Sequence, residues 1–352
     1  MNGLYELSIE VTNECTLACI HCSSGSTPKK MPNELTIDEH IRLLREAREL
    51  GAQVLSLSGG NPLLYDNLLS IIDEAGKLQY QSVLLYTTGH NRHGRKIYDY
   101  PMLNCLCVPG LTFIFSLHSH EPEINDKIMN YPGAWRDIVD SISWLTAAGI
   151  NTEIHMVPMR PNHRHIAGMK DLCKQLGVKK MSLLRFVPQT RGAQNIDALG
   201  MSVVDFSRMQ YEIDVALHHD HEVQVRAGCP IDFRHSVGLR EQKAKPCHAG
   251  DDLILVRPDG SVHPCAAWKS LEVDSNVREQ SLHHIWHYSK VFNEIRRYKK
   301  AGYKQIEGVC STCPALNSCM GGCPAQRLHA YGKTLEALYV DKSDPLCPRG
   351  AK

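Results

Sequence analysis

The sequence predicts an α/β fold: six parallel strands alternating with helices, followed by a small cysteine-rich unit. Three observations predict it. Short apolar runs alternate with amphipathic segments six times between residues 4 and 186, the pattern of successive βα units. The run Leu111–Leu117 is almost continuously apolar, as in a strand covered on both faces. From Cys247 onward short strands and dense cysteine replace that alternation, and such a segment holds a small core only with help from metal.

The elements follow in order. Leu4–Val11 reads as the first strand. Thr36-Ile37-Asp38-Glu39 is a capping box that opens a helix. Ile41, Leu43, Leu44, Ala47 and Leu50 give that helix one apolar face, and Gly51 suits its end. Val54–Leu57 is the second strand, Leu68–Ala75 a helix and Val83–Tyr86 the third strand. After the fourth strand, Trp135–Ala148 is a helix stopped by Gly149, and Thr152–Val157 is the fifth strand. Ile166–Leu176 is a helix stopped by Gly177, and Met181–Phe186 is the sixth strand. Pro188–Gly200 is a polar loop and Ser202–His219 a bridging helix. The expected division is residues 1–200 for the α/β unit, 201–246 for the bridging helix and linker, and 247–352 for the cysteine-rich unit.

Composition excludes several function classes. Lys+Arg is 39 and Asp+Glu is 38, a net charge of +1, so no global field favours nucleic acid or an anionic membrane. No apolar run approaches the ~20 residues that span a bilayer. The start, MNGLYELSIE, lacks the basic and apolar regions of a secretory signal. A chain with fourteen cysteines and no such signal is expected in a reducing cytoplasm. Paired histidines such as His218-His219 and His283-His284 read as solvated side chains.

Most of the cysteines form two constellations. Cys15, Cys19 and Cys22 are a C-x3-C-x2-C run directly after the first strand. Cys247 and Cys265 precede Cys310, Cys313, Cys319 and Cys323, a C-x2-C-x5-C-x3-C block, and Cys347 closes the set. Thiolates at these spacings can converge on an iron–sulfur cluster, and three ligands leave one iron open for chemistry. Structural zinc competes for the C-terminal quartet. Cys3His zinc at the N-terminal triplet would use His21, whose adjacency to Cys22 makes joint ligation awkward.

Residues 13–22, Asn-Glu-Cys-Thr-Leu-Ala-Cys-Ile-His-Cys, resemble the signature loop of radical S-adenosylmethionine (SAM) enzymes. The C-terminal cysteines resemble that family's SPASM extension, so the resemblance covers residues 5–350 or so. It implies a partial (β/α)6 TIM-like barrel with a small cysteine-rich SPASM domain. It implies three 4Fe–4S clusters, the first held by Cys15, Cys19 and Cys22 and chelating SAM through its open iron. One electron then cleaves SAM to methionine and a 5′-deoxyadenosyl radical, which abstracts hydrogen. Cys310, Cys313, Cys319 and Cys347 would hold a distal auxiliary cluster, and Cys247, Cys265 and Cys323 a proximal one. Cys229 is the candidate eighth ligand, with a hydrogen-donating thiol as its alternative role. Cys173 reads as core.

By the same resemblance, SAM contacts fall at strand ends. Ser58-Gly59-Gly60-Asn61 stands where the family has Gly-Gly-Glu-Pro, with Asn61 in place of the Glu. The glycines would let backbone approach the SAM amino group. Thr87, Thr88, Ser116, His118 and Arg185 end later strands, Arg185 as a partner for the SAM carboxylate. His118, His120, His155, Arg160, Arg185 and Arg191 would line the cavity. A flavodoxin or ferredoxin-type reductant is implied.

The preferred reaction is maturation of a ribosomal peptide by crosslinking, epimerisation or oxidation. The alternative is radical modification of a small molecule such as an aminoglycoside-type sugar. Sulfatase maturation is disfavoured, because Ala266-Ala267 follow Cys265 where an Asp base is expected. A non-catalytic electron-transfer protein rests only on Asn61. Only fourteen residues precede Cys15, so the N-terminal recognition domain of many peptide-modifying relatives is expected to be absent. A leader peptide would then bind elsewhere on the enzyme or through a separate recognition protein.

Overall fold

A computed structural model describes residues 3–89, 110–218, 221–228 and 247–350. Seven parallel strands form the first part of the sheet: β1 (Glu6–Thr12), β2 (Val54–Gly59), β3 (Ser82–Thr87), β4 (Leu111–Ser116), β5 (Thr152–Met156), β6 (Lys180–Leu183) and β7 (Gln224–Ala227). They lie side by side in chain order, each paired in parallel with the next. The helices between them are α1 (Ile37–Glu49), α2 (Leu68–Lys77), α3 (Pro122–Met129), α4 (Ala134–Ala147), α5 (Ile166–Gln175), α6 (Thr190–Gln194), α7 (Ile196–Leu199) and α8 (Val203–His218). The capping box forms as expected: Glu39 N–H donates to Thr36 Oγ1, and Thr36 N–H donates to Glu39 Oε2 at 2.7 Å. Such a cap stabilises a helix by ~1 kcal/mol.

The sheet is larger than the six strands expected. α8 leads into β7, which pairs with β6 from within the stretch read as bridging helix and linker. On the other edge, β8 (Leu253–Val256) pairs in parallel with β1, and β9 (Val262–His263) pairs antiparallel with β8. Among the described residues all nine strands belong to one sheet. The cysteine-rich segment is therefore hydrogen-bonded onto the barrel wall through β8.

Alternation along β1 shows how the wall is built. Leu7, Ile9 and Val11 are fully buried in the main core with α1 and α2. Glu6, Ser8, Glu10 and Thr12 take the opposite face by the period of two. The C-terminal segment adds α9 (Leu282–Tyr288), α10 (Lys290–Lys300), α11 (Leu316–Cys319) and α12 (Pro324–Tyr331). A second core of Trp268, Ile295, Tyr298, Leu328 and Leu338 forms there, and Cys310 and Cys323 belong to it. No described helix is long and apolar enough to cross a membrane.

Candidate functional site: the cysteine loop and strand ends

The loop after β1 carries Cys15, Cys19 and Cys22, and the segment after β6 braces it. Arg191 Nε donates to Cys19 O at 3.0 Å, and its Nη1 donates to Ser26 O at 2.6 Å. Thr190 Oγ1 donates to Cys22 O at 2.6 Å, and Asn195 Nδ2 to Ile20 O. Cys15 N–H donates to Thr27 O. Arg191, expected in the cavity lining, is instead the clamp on this loop, because its fork meets two carbonyls of the loop. Burial pushes the Cys15 thiol up to about 11. Burial raises Cys19 further, and Cys15 and Cys22 add to that rise. One buried and two half-buried thiols on one short loop are the donor set a cluster needs, and a metal would supply the counter-charge for their thiolates.

His21 packs edge-on against His118, with ring centroids 4.3 Å apart. Burial lowers His21 to about 4 and His118 well below its usual value. Both imidazoles are therefore neutral at pH 7. His118 Nδ1 accepts from Val157 N–H at 3.3 Å, while its buried Nε2 has no hydrogen-bond partner.

The glycines have a packing role of their own. Gly60 N–H donates to Thr12 O, and Asn61 N–H to Glu14 O. A Cβ on Gly60 would collide with the Glu14 carbonyl, and one on Gly59 (φ +133°) with the Thr12 carbonyl. These glycines seat the end of β2 against the chain entering the cysteine loop; the space a Cβ would fill is taken by protein backbone. Asn61 is fully buried, and its Oδ1 accepts from Thr87 Oγ1 at 2.9 Å. Its Nδ2 reaches Thr88 Oγ1 at 3.5 Å. The amide thus ties β2 to β3. Ser58 and Ser116 are half-buried at their strand ends.

Arg185 also departs from expectation. Its two Nη atoms meet Asp344 at 2.8 and 2.5 Å in a buried pair. Asp344 also accepts from Cys323 N–H at 2.9 Å and Leu346 N–H at 3.0 Å. The guanidinium serves the cysteine-rich segment, and a protein carboxylate occupies the fork expected to meet SAM.

The C-terminal cysteines gather in two groups. Cys310, Cys313, Cys319 and Cys347 line one small cavity with Gly321, Ser343 and Asp344. Cys323 belongs to the second core, and Cys247 and Cys265 pack against that core; burial raises the Cys265 thiol, and Cys247 and Cys323 add to the rise. Cys310, Cys313, Cys319 and Cys347, the set expected to be distal, thus share one cavity. Cys229 lies outside the described residues. Cys173 is fully buried in the main core.

Sequence reasoning missed a polar layer on the face opposite the helices. Glu153 pairs with Lys180 at 2.7 Å and Arg226 at 3.1 Å. His155 stands two residues on, facing Tyr86 with ring centroids 5.3 Å apart. Both His155 ring nitrogens are buried without a hydrogen-bond partner. Glu10 meets Lys269 at 2.5 Å, Arg257 at 3.3 Å and Ser24 Oγ at 2.7 Å. The signal was present in the alternation of polar residues along β1, β5 and β7. A separate cavity of about 620 Å³ has Arg160, Phe186, Met201, Phe206, Gln326 and His329 in its walls.

The comparisons agree with this geometry. Residues 9–173 match the Radical SAM superfamily, and residues 247–314 match the SPASM iron–sulfur cluster-binding domain. The chain is 26% identical to an AdoMet-dependent heme synthase of Oleidesulfovibrio alaskensis, covering 96% of this chain and 85% of that one. It is 26% identical to an AdoMet-dependent heme synthase of Methanosarcina barkeri, covering 93% of each. Among solved structures it resembles Streptococcus suis SuiB bound to its precursor peptide SuiA. The TM-score is 0.77 at 18% identity, covering 99% of this chain and 76% of that one. With the cysteine loop at the end of β1 and the cysteine-rich segment built onto the same sheet, the chain belongs to the radical SAM enzymes that carry a C-terminal SPASM domain.

Proposed function

We propose that this enzyme reductively cleaves SAM and abstracts a hydrogen atom from a peptide substrate in a maturation reaction. When bound at Cys15, Cys19 and Cys22, a 4Fe–4S cluster supplies the electron for SAM cleavage. The residues of the chain prepare that site. Arg191, Thr190 and Asn195 hold the loop carbonyls, so the three thiols keep their spacing. Asn61 with Thr87 and Thr88, the Ser58–Gly60 backbone, and Ser116 and His118 form the rim assigned to SAM. Arg185 is left out of that rim because Asp344 holds it. Cys310, Cys313, Cys319 and Cys347 are assigned one auxiliary cluster, and Cys247, Cys265 and Cys323 the other. Cys229 keeps its two candidate roles.

The observation that carries a substrate-binding interior is His155. Both ring nitrogens are buried without a hydrogen bond, Nε2 standing 3.9 Å from Glu153 Oε2, and a polar ligand would recover ~1–3 kcal/mol. Burial lowers His155 to about 4, so it is neutral and offers one donor and one acceptor. An amide group of a peptide matches that pair. The peptide-bound SuiB structure supports this choice of substrate. The 26% identity to heme synthases over nearly the whole chain favours a second reading, action on a haem precursor.

One experiment separates the two. The cluster-loaded enzyme is incubated with SAM and reductant beside short peptides encoded near its gene, or beside a haem precursor. A mass change in a peptide that tracks 5′-deoxyadenosine upholds the first reading. Haem absorbance appearing with no peptide change replaces it with the second.

A further inference from the structure

His120, Glu121 and His165 converge at the end of the sheet that holds the cysteine loop, outside the cluster sites. Their ligand atoms all lie within 4.8 Å of one another. Glu121 Oε1 stands 3.8 Å from His120 Nε2 and 3.9 Å from His165 Nε2. We propose that these three side chains bind one divalent zinc ion, with water completing its coordination.

The distances suit that cation. Ligands 2.0–2.1 Å from a tetrahedral zinc stand roughly 3.4 Å apart, so the two Glu121 edges need ~0.5 Å of contraction and the remaining edge, within 4.8 Å, at most ~1.4 Å. Imidazole and carboxylate are ordinary zinc donors. The surroundings hold both rings in place. Ser119 is fully buried, and its Oγ lies 2.8 Å from His165 Nδ1 and accepts from Glu121 N–H at 2.9 Å. With Nδ1–H donating to that hydroxyl, Nε2 presents its lone pair toward Glu121, the usual outer support of a zinc-bound histidine. The His120 ring lies on Gly168 of α5, where any Cβ would collide with it. The two rings stand 4.9 Å apart.

A bare ion pair explains this arrangement less well. One carboxylate oxygen is shared between two imidazoles at distances beyond a hydrogen bond. Zinc there would tie the loop after β4 to the loop before α5. His118, which packs on His21 of the cysteine loop, is only two residues from His120. The cation would brace that contact.

The test uses cluster-loaded, full-length protein dialysed against micromolar zinc chloride, with metal content measured by mass spectrometry. The expected result is one zinc per chain beyond the iron. His165→Ala should abolish it, and Glu121→Gln should weaken it at least ~10-fold. Glu121→Gln keeps the side-chain shape, and unchanged iron content verifies the fold. Zinc-edge absorption should show only nitrogen and oxygen neighbours. Equal zinc uptake by wild type and both variants, or a sulfur neighbour at about 2.3 Å, overturns the site.

Discussion

Arg185 and Asp344 form a buried two-pronged ion pair, 2.8 and 2.5 Å between their atoms, that joins the end of β6 to the segment before Cys347. Asp344 also holds the backbone of Cys323. Removing one partner strands a buried charge, which costs about 3–5 kcal/mol. Asp344→Ala is therefore expected to lower the unfolding free energy by that much and to lose roughly four irons. The double change Arg185→Met with Asp344→Leu should recover much of the stability. A chemical denaturation series with iron analysis checks both.

Gly60→Ala tests the contact between β2 and the cysteine loop. The added methyl meets the Glu14 carbonyl, which cannot retreat while it accepts from Asn61 N–H. The expected cost is about 1–3 kcal/mol of stability. Loss of SAM cleavage should accompany it, because the strain falls one residue from Cys15. Calorimetry and nucleoside analysis on the same preparation measure the two effects.

Arg191→Ala removes two hydrogen bonds to carbonyls of the cysteine loop. The C-terminal cysteines are untouched. The variant should lose about four of roughly twelve irons and retain the rest. Iron assay with low-temperature spin resonance of the reduced protein separates the signals.

Glu10 provides a pH dependence. Burial would raise its carboxyl, but Lys269 and Arg257 overcome that and hold it down to about 2, from an ordinary 4.5. A lowered folded-state pKa stabilises the protein above the unfolded value. That stability is lost as pH falls from about 4.5 toward 2. Lys269→Met should move the acid-unfolding midpoint to higher pH, followed by fluorescence of the buried Trp268 and Trp286.

The elements legible in the sequence were those with local signals. Thr36 and Glu39 announced α1, and Leu111–Leu117 announced β4. The cysteine spacings announced metal-binding thiols in the C-terminal segment, and their division into two groups came from the family resemblance. β7 escaped because Gln224-Val225-Arg226-Ala227 is short and half polar, and only its pairing with β6 makes it a strand. The placing of β8 beside β1 is a long-range event with no local mark. The partner of Arg185 had no local mark either: the carboxylate that meets it lies 159 residues away in sequence. Glu153 and Arg226 were readable only by taking strand alternation seriously on both faces.

The most direct measurement is formation of 5′-deoxyadenosine from SAM by the reduced, cluster-loaded enzyme. Wild type is expected to form it, and a variant with Cys15, Cys19 and Cys22 all changed to Ala to form none while keeping its auxiliary irons. A fully loaded wild type that forms no 5′-deoxyadenosine, or a triple variant that forms as much as wild type, contradicts the assignment of chemistry to that loop.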